Sequence, residues 1–206
     1  MGRPKTFDDH EVLDQVVACF RANGFESTSI RDLEAATGLK ATSIYRAFGN
    51  KNAVFSLALL RYRTEVLDRR TSTYLDHERG LDGIKDFFTS TYQQEPLPDQ
   101  GCLFATAASE APLLDPAARQ HVADGLTVIQ TAFHDQIKHC QAIGEVTSSV
   151  NAETASRALL MLYEGLLVLL RSGSHSADFN ETVKLIIDSV LTTTLNTTKG
   201  KNNDRT

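Results

Sequence analysis

Apolar residues recur every three or four positions along almost the whole chain, and no stretch alternates strictly enough to be read as a half-buried strand. That spacing predicts an all-α protein of about nine helices. Val12, Leu13, Val16, Val17 and Phe20 make the apolar stripe of a first helix over about 8–23, which Asn23-Gly24 brings to a stop. Ser29 is placed to cap a second helix, with Asp32 three residues on in the reciprocal capping position. Leu33 and Ala36 are expected to face inward, and Gly38 ends that helix. A third, short helix starts near Ala41 and runs to Phe48, with Ile44 and Phe48 turned inward. Asn50 caps a fourth, which continues past Val66 and Leu67.

Beyond "HERG" the composition changes. Leu81, Ile84, Phe87, Phe88 and Tyr92 mark a fifth helix, stopped by "EPLPDQG". A helix of small residues, "CLFATAASEA", follows, and Asp115-Pro116 then sets an N-cap and a proline at the first helical position, where its missing N–H does no harm. Val122, Leu126, Ile129, Phe133, Ile137 and Cys140 face one side of the next helix. Asn151 caps a very apolar helix reaching Leu170, and Phe179 to Leu195 form the last. The expected organisation is a three-helix head over 1–52, a helical body over 53–195, and a polar, disordered tail over 196–206.

Composition excludes several classes. With 206 residues, 41% hydrophobic and 23% charged, the chain is that of a folded soluble protein. No apolar run reaches the roughly 20 residues that cross a bilayer, and the N-terminus lacks an apolar signal region. The longest run, Ala158 to Leu170, is broken by Glu164 and Gly165. A cytoplasmic location is expected, in keeping with three cysteines (Cys19, Cys102, Cys140) that form neither a metal spacing nor a disulfide framework. The net charge of −5 argues against coating nucleic acid by bulk charge. Local phosphate contacts depend instead on where the cations sit. No cofactor or metal is expected, because six scattered histidines include no helical i, i+4 pair; His134 and His139 are five apart. No Ser, His and Asp are grouped for hydrolysis, so an enzyme is not indicated.

The segment "TSIRDLEAATGLKATSIYRAFGNK", Thr28 to Lys51, is two short helices about one glycine, a helix-turn-helix over about 29–48 whose second helix suits a DNA major groove. Lys40, Ala41, Thr42, Ser43 and Arg46 are small or hydrogen-bonding, which lets the backbone approach base edges. Arg46 suits bidentate reading of guanine, and the Thr42 methyl suits a thymine methyl. Tyr45 and Lys51 are candidates for phosphate contacts, as are the N–H groups and hydroxyls of Thr28 and Ser29 at a helix start. Arg46 has an alternative, pairing with Asp32 or Glu34. The basic "GRPK" arm adds Arg3 and Lys5 to the footprint.

The stretches "GRPK…FD", "F..NGFE.TSIRDLE..TGL" and "SIYRAFGNK" make residues 2–60 resemble the DNA-binding domain of the TetR family of bacterial transcriptional regulators. The resemblance implies a three-helix head joined by a fourth helix to a ligand-binding and dimerising body. It also implies DNA contacts at Ser29, Arg31, Lys40, Thr42, Ser43, Tyr45 and Lys51, with Arg31 reaching a base from the second helix. Over 75–195 the likeness extends only to helix number and order. "GCLFATAASE" resembles a subset of the family in which a cysteine senses electrophiles or oxidants, which carries over to Cys102 alone. A buried, inert Cys102 is the competing expectation.

In the body, Phe87, Phe88, Tyr92, Phe104, Phe133 and Tyr163 are candidates for lining an apolar or aromatic effector site, with Cys102, His134 and Glu164 as its polar groups. Glu164, inside an apolar helix, needs a partner or a raised pKa. Leu159, Leu162, Leu166 and Leu169, with Ile187, Val190 and Leu191, fit a twofold homodimer interface that would match a palindromic operator. Burial within one body is the alternative for them. Two functions stay open: a dimeric, effector-released repressor of double-stranded DNA operators, and a small-molecule carrier or enzyme on the helical body with a non-DNA role for the head.

Overall fold

The computed structural model describes residues 7–93, 101–173 and 179–192, and every regular element among them is helical. The basic arm at Arg3 and Lys5, most of "EPLPDQG" and the tail from 196 lie outside the described residues. The head is α1 (Asp9–Ser27), α2 (Ile30–Thr37) and α3 (Ala41–Phe48). A long connection follows: α4 (Lys51–Tyr62), a π turn over Arg63–Leu67, and α5 (Asp68–Tyr74) run on as one bent helix. The body adds α6 (Gly80–Tyr92), α7 (Leu103–Ser109), α8 (Pro116–Ala142), α9 (Ala152–Arg171) and α10 (Phe179–Thr192). Taken by continuity, α4 to α5 counts once and nine α-helices result among the described residues.

The local signals act as the sequence predicts. Asp8, Ser29, Asn50, Asp115 and Asn151 each accept a hydrogen bond from a backbone N–H in the first turn that follows. Such caps satisfy N–H groups that have no partner inside the helix and contribute about 1 kcal/mol apiece. Gly24 stops regular helix as expected, but α1 resumes for one turn beyond it; Gly24 itself has φ 80°, ψ 177°, far from helical values. One inward residue of α2 differs from expectation. Ala36 is exposed, and the helix instead turns Ile30, Leu33 and Thr37 towards the head core.

The head core is built on aromatic contact. Phe20 meets Phe55 edge-on at 4.8 Å, and Phe25 lies 4.9 Å from Phe55. Ile44, Leu33 and Val16 close around them, all fully buried. Each such side chain contributes about 1.5–3 kcal/mol on burial. Because Phe55 belongs to α4, the head core cannot form without the connecting helix. The Asp14–Arg61 pair repeats that link on the surface, with two contacts of 2.8 and 3.0 Å. The Arg61 guanidinium holds the Asp14 carboxyl below its ordinary range.

The body core is a second aromatic cluster. Phe87 from α6 meets Phe133 of α8 and Tyr163 of α9, each at 5.0 Å, while Phe88 stacks on Phe133 at 5.6 Å. Gln136, fully buried on α8, donates to the carbonyls of Asp76 and Gly80 and so ties the turn before α6 into the core.

Candidate nucleic-acid interface

The start of α2 and the turn from it into α3 are set by three interactions. Ser29 and Asp32 form a full capping box: the Ser29 N–H donates to Asp32 Oδ2 at 2.7 Å, and the Asp32 N–H donates back to Ser29 Oγ at 3.3 Å. Those bonds hold the Asp32 carboxyl below its ordinary value. Gly38 then adopts φ 67°, a left-handed conformation that suits glycine. Lys40, the N-cap of α3, gives no side-chain cap. Glu34 takes over that task, its carboxylate accepting the Ala41 N–H at 2.7 Å. Sequence reading missed this role, although a glutamate seven residues before a helix start is the available signal.

With both Asp32 and Glu34 engaged, Arg46 is left without the acidic neighbour that was its alternative. Among the described residues Arg31, Lys40 and Arg46 form no ion pair, and all three are exposed. Ser29, Thr42 and Tyr45 are exposed on the same part of the head, Tyr45 by 38%. Ala41 and Ser43 are half-buried at the start of α3. The free cations and small residues of α3 therefore lie open while Ile44 and Phe48 anchor its other face.

Two candidates are placed differently from expectation. Thr28 is turned inward, 1% exposed, because its hydroxyl donates to the Gly24 carbonyl at 2.6 Å; its side chain is removed from the exposed face. Lys51 does not stand free. Its ammonium donates to the Glu26 carbonyl at 3.2 Å and lies 4.6 Å from the centre of the Phe25 ring. This lysine thus pins the α1–α2 corner to the start of α4.

The effector candidates divide into groups. Phe87, Phe88, Phe133 and Tyr163 form the body cluster, fully or almost fully buried, with Tyr92 beyond them on Phe179 and bonded to Asn180. Phe104 is buried edge-on to Tyr62 of α4 at 5.6 Å. Cys102 is buried at the start of α7, and burial pushes its thiol up, helped by the neighbouring Glu164 carboxyl. That environment favours the inert thiol over a reactive thiolate. Glu164 has one buried carboxylate oxygen without a hydrogen-bond partner among the described residues, and burial raises its pKa to about 7. His134 does not join these groups. It faces solvent on α8 beside Asp135, in a shallow surface hollow with Lys138 and Asn151. No cluster of three or more metal-ligating side chains occurs among the described residues.

The candidate dimer residues separate too. Leu159 and Leu166 of α9 and Ile187 and Leu191 of α10 are buried within the body, where α9 packs on α8 and α10, and α10 packs on α9 and α6. Leu162 and Val190 are half-buried and Leu169 is exposed. On α9 and α10 the exposed apolar positions that the sequence did not single out are Met161 (66%), Val168 (65%) and Leu185 (67%).

Two further links join head and body. Glu110, just beyond α7, accepts the N–H groups of Phe25 and Glu26 at 2.7 and 3.1 Å. Arg171, at the end of α9, donates to the Ala22 carbonyl. Neither was legible in the sequence, since the partners lie 85 and 149 positions apart.

Comparison with known proteins adds to this geometry. A family model described as bacterial regulatory proteins, tetR family, matches residues 12–58, and one described as tetracyclin repressor-like, C-terminal domain, matches residues 80–184. The HTH-type transcriptional repressor ComR of Escherichia coli is 34% identical over 90 residues, a match spanning 43% of this chain and 43% of ComR. An HTH-type transcriptional repressor of Mycobacterium tuberculosis is 27% identical over 196 residues, 91% of this chain and 98% of the relative. Among solved structures, a cysteine mutant of the TetR family regulator CifR complexed with 26bp double-strand operator DNA has a TM-score of 0.78 at 22% identity, covering 91% of this chain and 99% of that one. Reduced NemR of Escherichia coli has a TM-score of 0.77 at 17% identity, covering 91% and 100%. At such identities the structural likeness is one of fold.

Proposed function

The chain belongs to the TetR family of bacterial regulatory proteins, and from that premise we propose that it is a dimeric repressor of a palindromic operator, released by a small-molecule effector bound in its body. Its family and relatives are transcriptional regulators rather than enzymes. The observation that carries the DNA-binding half is the α3 face, where Lys40, Thr42, Tyr45 and Arg46 are exposed and both cations are unpaired among the described residues, with Arg31 added from α2. Arg46 and Arg31 are the base-reading candidates, and Tyr45, Ser29 and Lys51 the phosphate contacts.

The dimer is supported by the apolar surface left exposed on α9 and α10. Met161, Leu162, Val168 and Leu169 with Leu185 and Val190 are the candidate interface, a correction from the inward-facing leucines and isoleucine. A twofold axis there would set two α3 helices to read two half-sites. Release requires the effector to prefer one arrangement of head and body over the other, since only differential affinity shifts such an equilibrium.

Selection of sites from random duplex DNA by the purified chain tests the reading. Recovery of an inverted repeat with half-site centres about one helical turn apart, or a multiple of it, is expected. Recovery of no common sequence at moderate salt would overturn the DNA-binding assignment, and a single unrepeated half-site would overturn the dimer.

A further inference from the structure

Two arginines stand at the seam between α1, α7 and α9, and neither has a carboxylate partner among the described residues. Arg21 donates Nε and Nη2 to the Gly101 carbonyl at 3.1 and 2.8 Å and lies 5.4 Å over the Tyr62 ring. Arg171 donates Nη1 to the Thr106 hydroxyl and Nη2 to the Ala22 carbonyl at 3.3 Å. Both guanidinium groups are thus held by neutral acceptors alone. A bond from guanidinium to an ionised carboxylate is roughly twice as strong as a neutral one, so these contacts are of a kind that an anion displaces.

Between α7 and α9 the seam opens into a cleft of about 450 Å³, and Arg171 and Thr106 stand in its lining. Ala105, Leu167 and Val168 give it an apolar wall, and Gly101, which Arg21 holds, forms one edge. The volume falls within the range of small-molecule sites. One acidic residue lines it, Glu110, whose two oxygens are already occupied by the N–H groups of Phe25 and Glu26. One cation in the lining, Arg171, and an apolar wall make a site for a molecule that is anionic at one end and apolar at the other.

We propose that this cleft binds a small organic carboxylate with a short apolar tail, its head taken by Arg171 and its tail laid on Ala105 and Leu167. Occupation draws Arg171 away from the Ala22 carbonyl and so loosens the end of α1 from the body. This second step rests on the effector-released regulator proposed above; the binding step does not.

The test is calorimetric titration of the full-length chain with hexanoate, with hexanamide and inorganic phosphate as comparators. Hexanoate is expected to bind, with affinity on the order of tenfold above either comparator. Arg171→Gln should lose that preference, and Ala105→Met, which fills the apolar wall and keeps both arginines, should weaken binding while the fold is kept. Equal binding of hexanoate and hexanamide would overturn the ionic role of Arg171, and equal binding of phosphate would overturn the apolar half. Absence of hexanoate binding, or full binding by both variants, would overturn the site. Hexanoate should also lower affinity for the selected duplex in the wild type and not in Arg171→Gln. Binding without that loss removes the coupling and leaves the site. If no duplex is bound at all, the regulator reading fails while the calorimetry still decides the cleft.

Discussion

The carboxylate of Glu110 and the backbone N–H of Phe25 meet at 2.7 Å, closing a contact between the body and the head across 85 positions of sequence. The contact exists because Gly24 bends the chain: with φ 80° and ψ 177° it ends the first run of α1 and exposes the N–H groups of Phe25 and Glu26. A Cβ at 24 would lie 2.8 Å from Glu110 Oε1, so the carboxylate would have to shift away from the N–H groups it accepts. Removing the acceptor by Glu110→Ala should cost about 1–2 kcal/mol, a fall in Tm of roughly 2–8 °C. Gly24→Ala should cost a similar amount through backbone strain and collision. The two should be non-additive, the glycine substitution costing less once the carboxylate is gone. Additive losses in denaturant midpoints would show that the two sites do not communicate.

Glu34 predicts a separate effect on the recognition helix. Its acceptance of the Ala41 N–H replaces the side-chain cap that Lys40 lacks. Glu34→Ala should destabilise the head by about 0.5–2 kcal/mol, as lost caps do, and should speed hydrogen exchange at the first turn of α3. Glu34→Gln keeps an oxygen in place and should lose less. Unchanged exchange in Glu34→Ala would mean that the α2–α3 packing alone sets α3.

Substitutions on α3 should fall into two classes. Arg46→Ala and Thr42→Ala are expected to change which sequences are preferred, by about 1–3 kcal/mol at the affected base pair. Tyr45→Phe is expected to weaken binding to all sequences alike. Lys51→Ala should do so too and lower the salt slope by about 1 if its ammonium meets a phosphate. Because Lys51 also holds Glu26 and covers Phe25, it should in addition lower head stability. Anisotropy titrations across several salt concentrations separate the cases, and loss of stability without a change of slope would confine Lys51 to a structural role.

What the sequence made legible were features that depend on near neighbours. The caps at Ser29, Asn50, Asp115 and Asn151, the glycine turn at Gly38 and the inward pair Ile44 and Phe48 are each settled within a few residues. Periodicity also gave the helix order, yet it left undecided which side of a very apolar helix meets its own body. Leu159 and Leu166 turn inward and Met161 and Val168 outward, a choice made by α8 and α10 rather than by α9. His134 had the right chemistry for a pocket and the wrong face of α8. The seam residues Arg21, Glu110 and Arg171 carried no local signal, because their partners are brought together only by the assembled fold.

That division of α9 gives a test of the proposed dimer. Met161→Glu and Leu185→Glu place charge on exposed apolar positions and should leave the monomer fold intact. Both should shift the chain towards monomer in sedimentation and reduce cooperative binding to a paired half-site. Leu159→Ala, in the buried layer, should instead cost about 2–5 kcal/mol of stability. If the two charged variants sediment as the wild type does, the interface lies elsewhere.

Glu164 carries the pH dependence. Burial raises its carboxyl from 4.5 to about 7, and one of its oxygens has no partner. The folded chain therefore binds this proton more tightly than the unfolded chain does, and stability falls as pH rises between those two values. At about 1.36 kcal/mol per pKa unit, ionisation inside the fold costs on the order of 3 kcal/mol once the pH is above 7. The contribution is fully present below pH 4.5 and is lost on passing through 7. Glu164→Gln has no such ionisation. It should match the wild type near pH 4 and exceed it by up to roughly 3 kcal/mol at pH 8. Denaturant unfolding at the two pH values measures the difference, and equal gains at both would show that the variant acts through packing rather than through the buried charge.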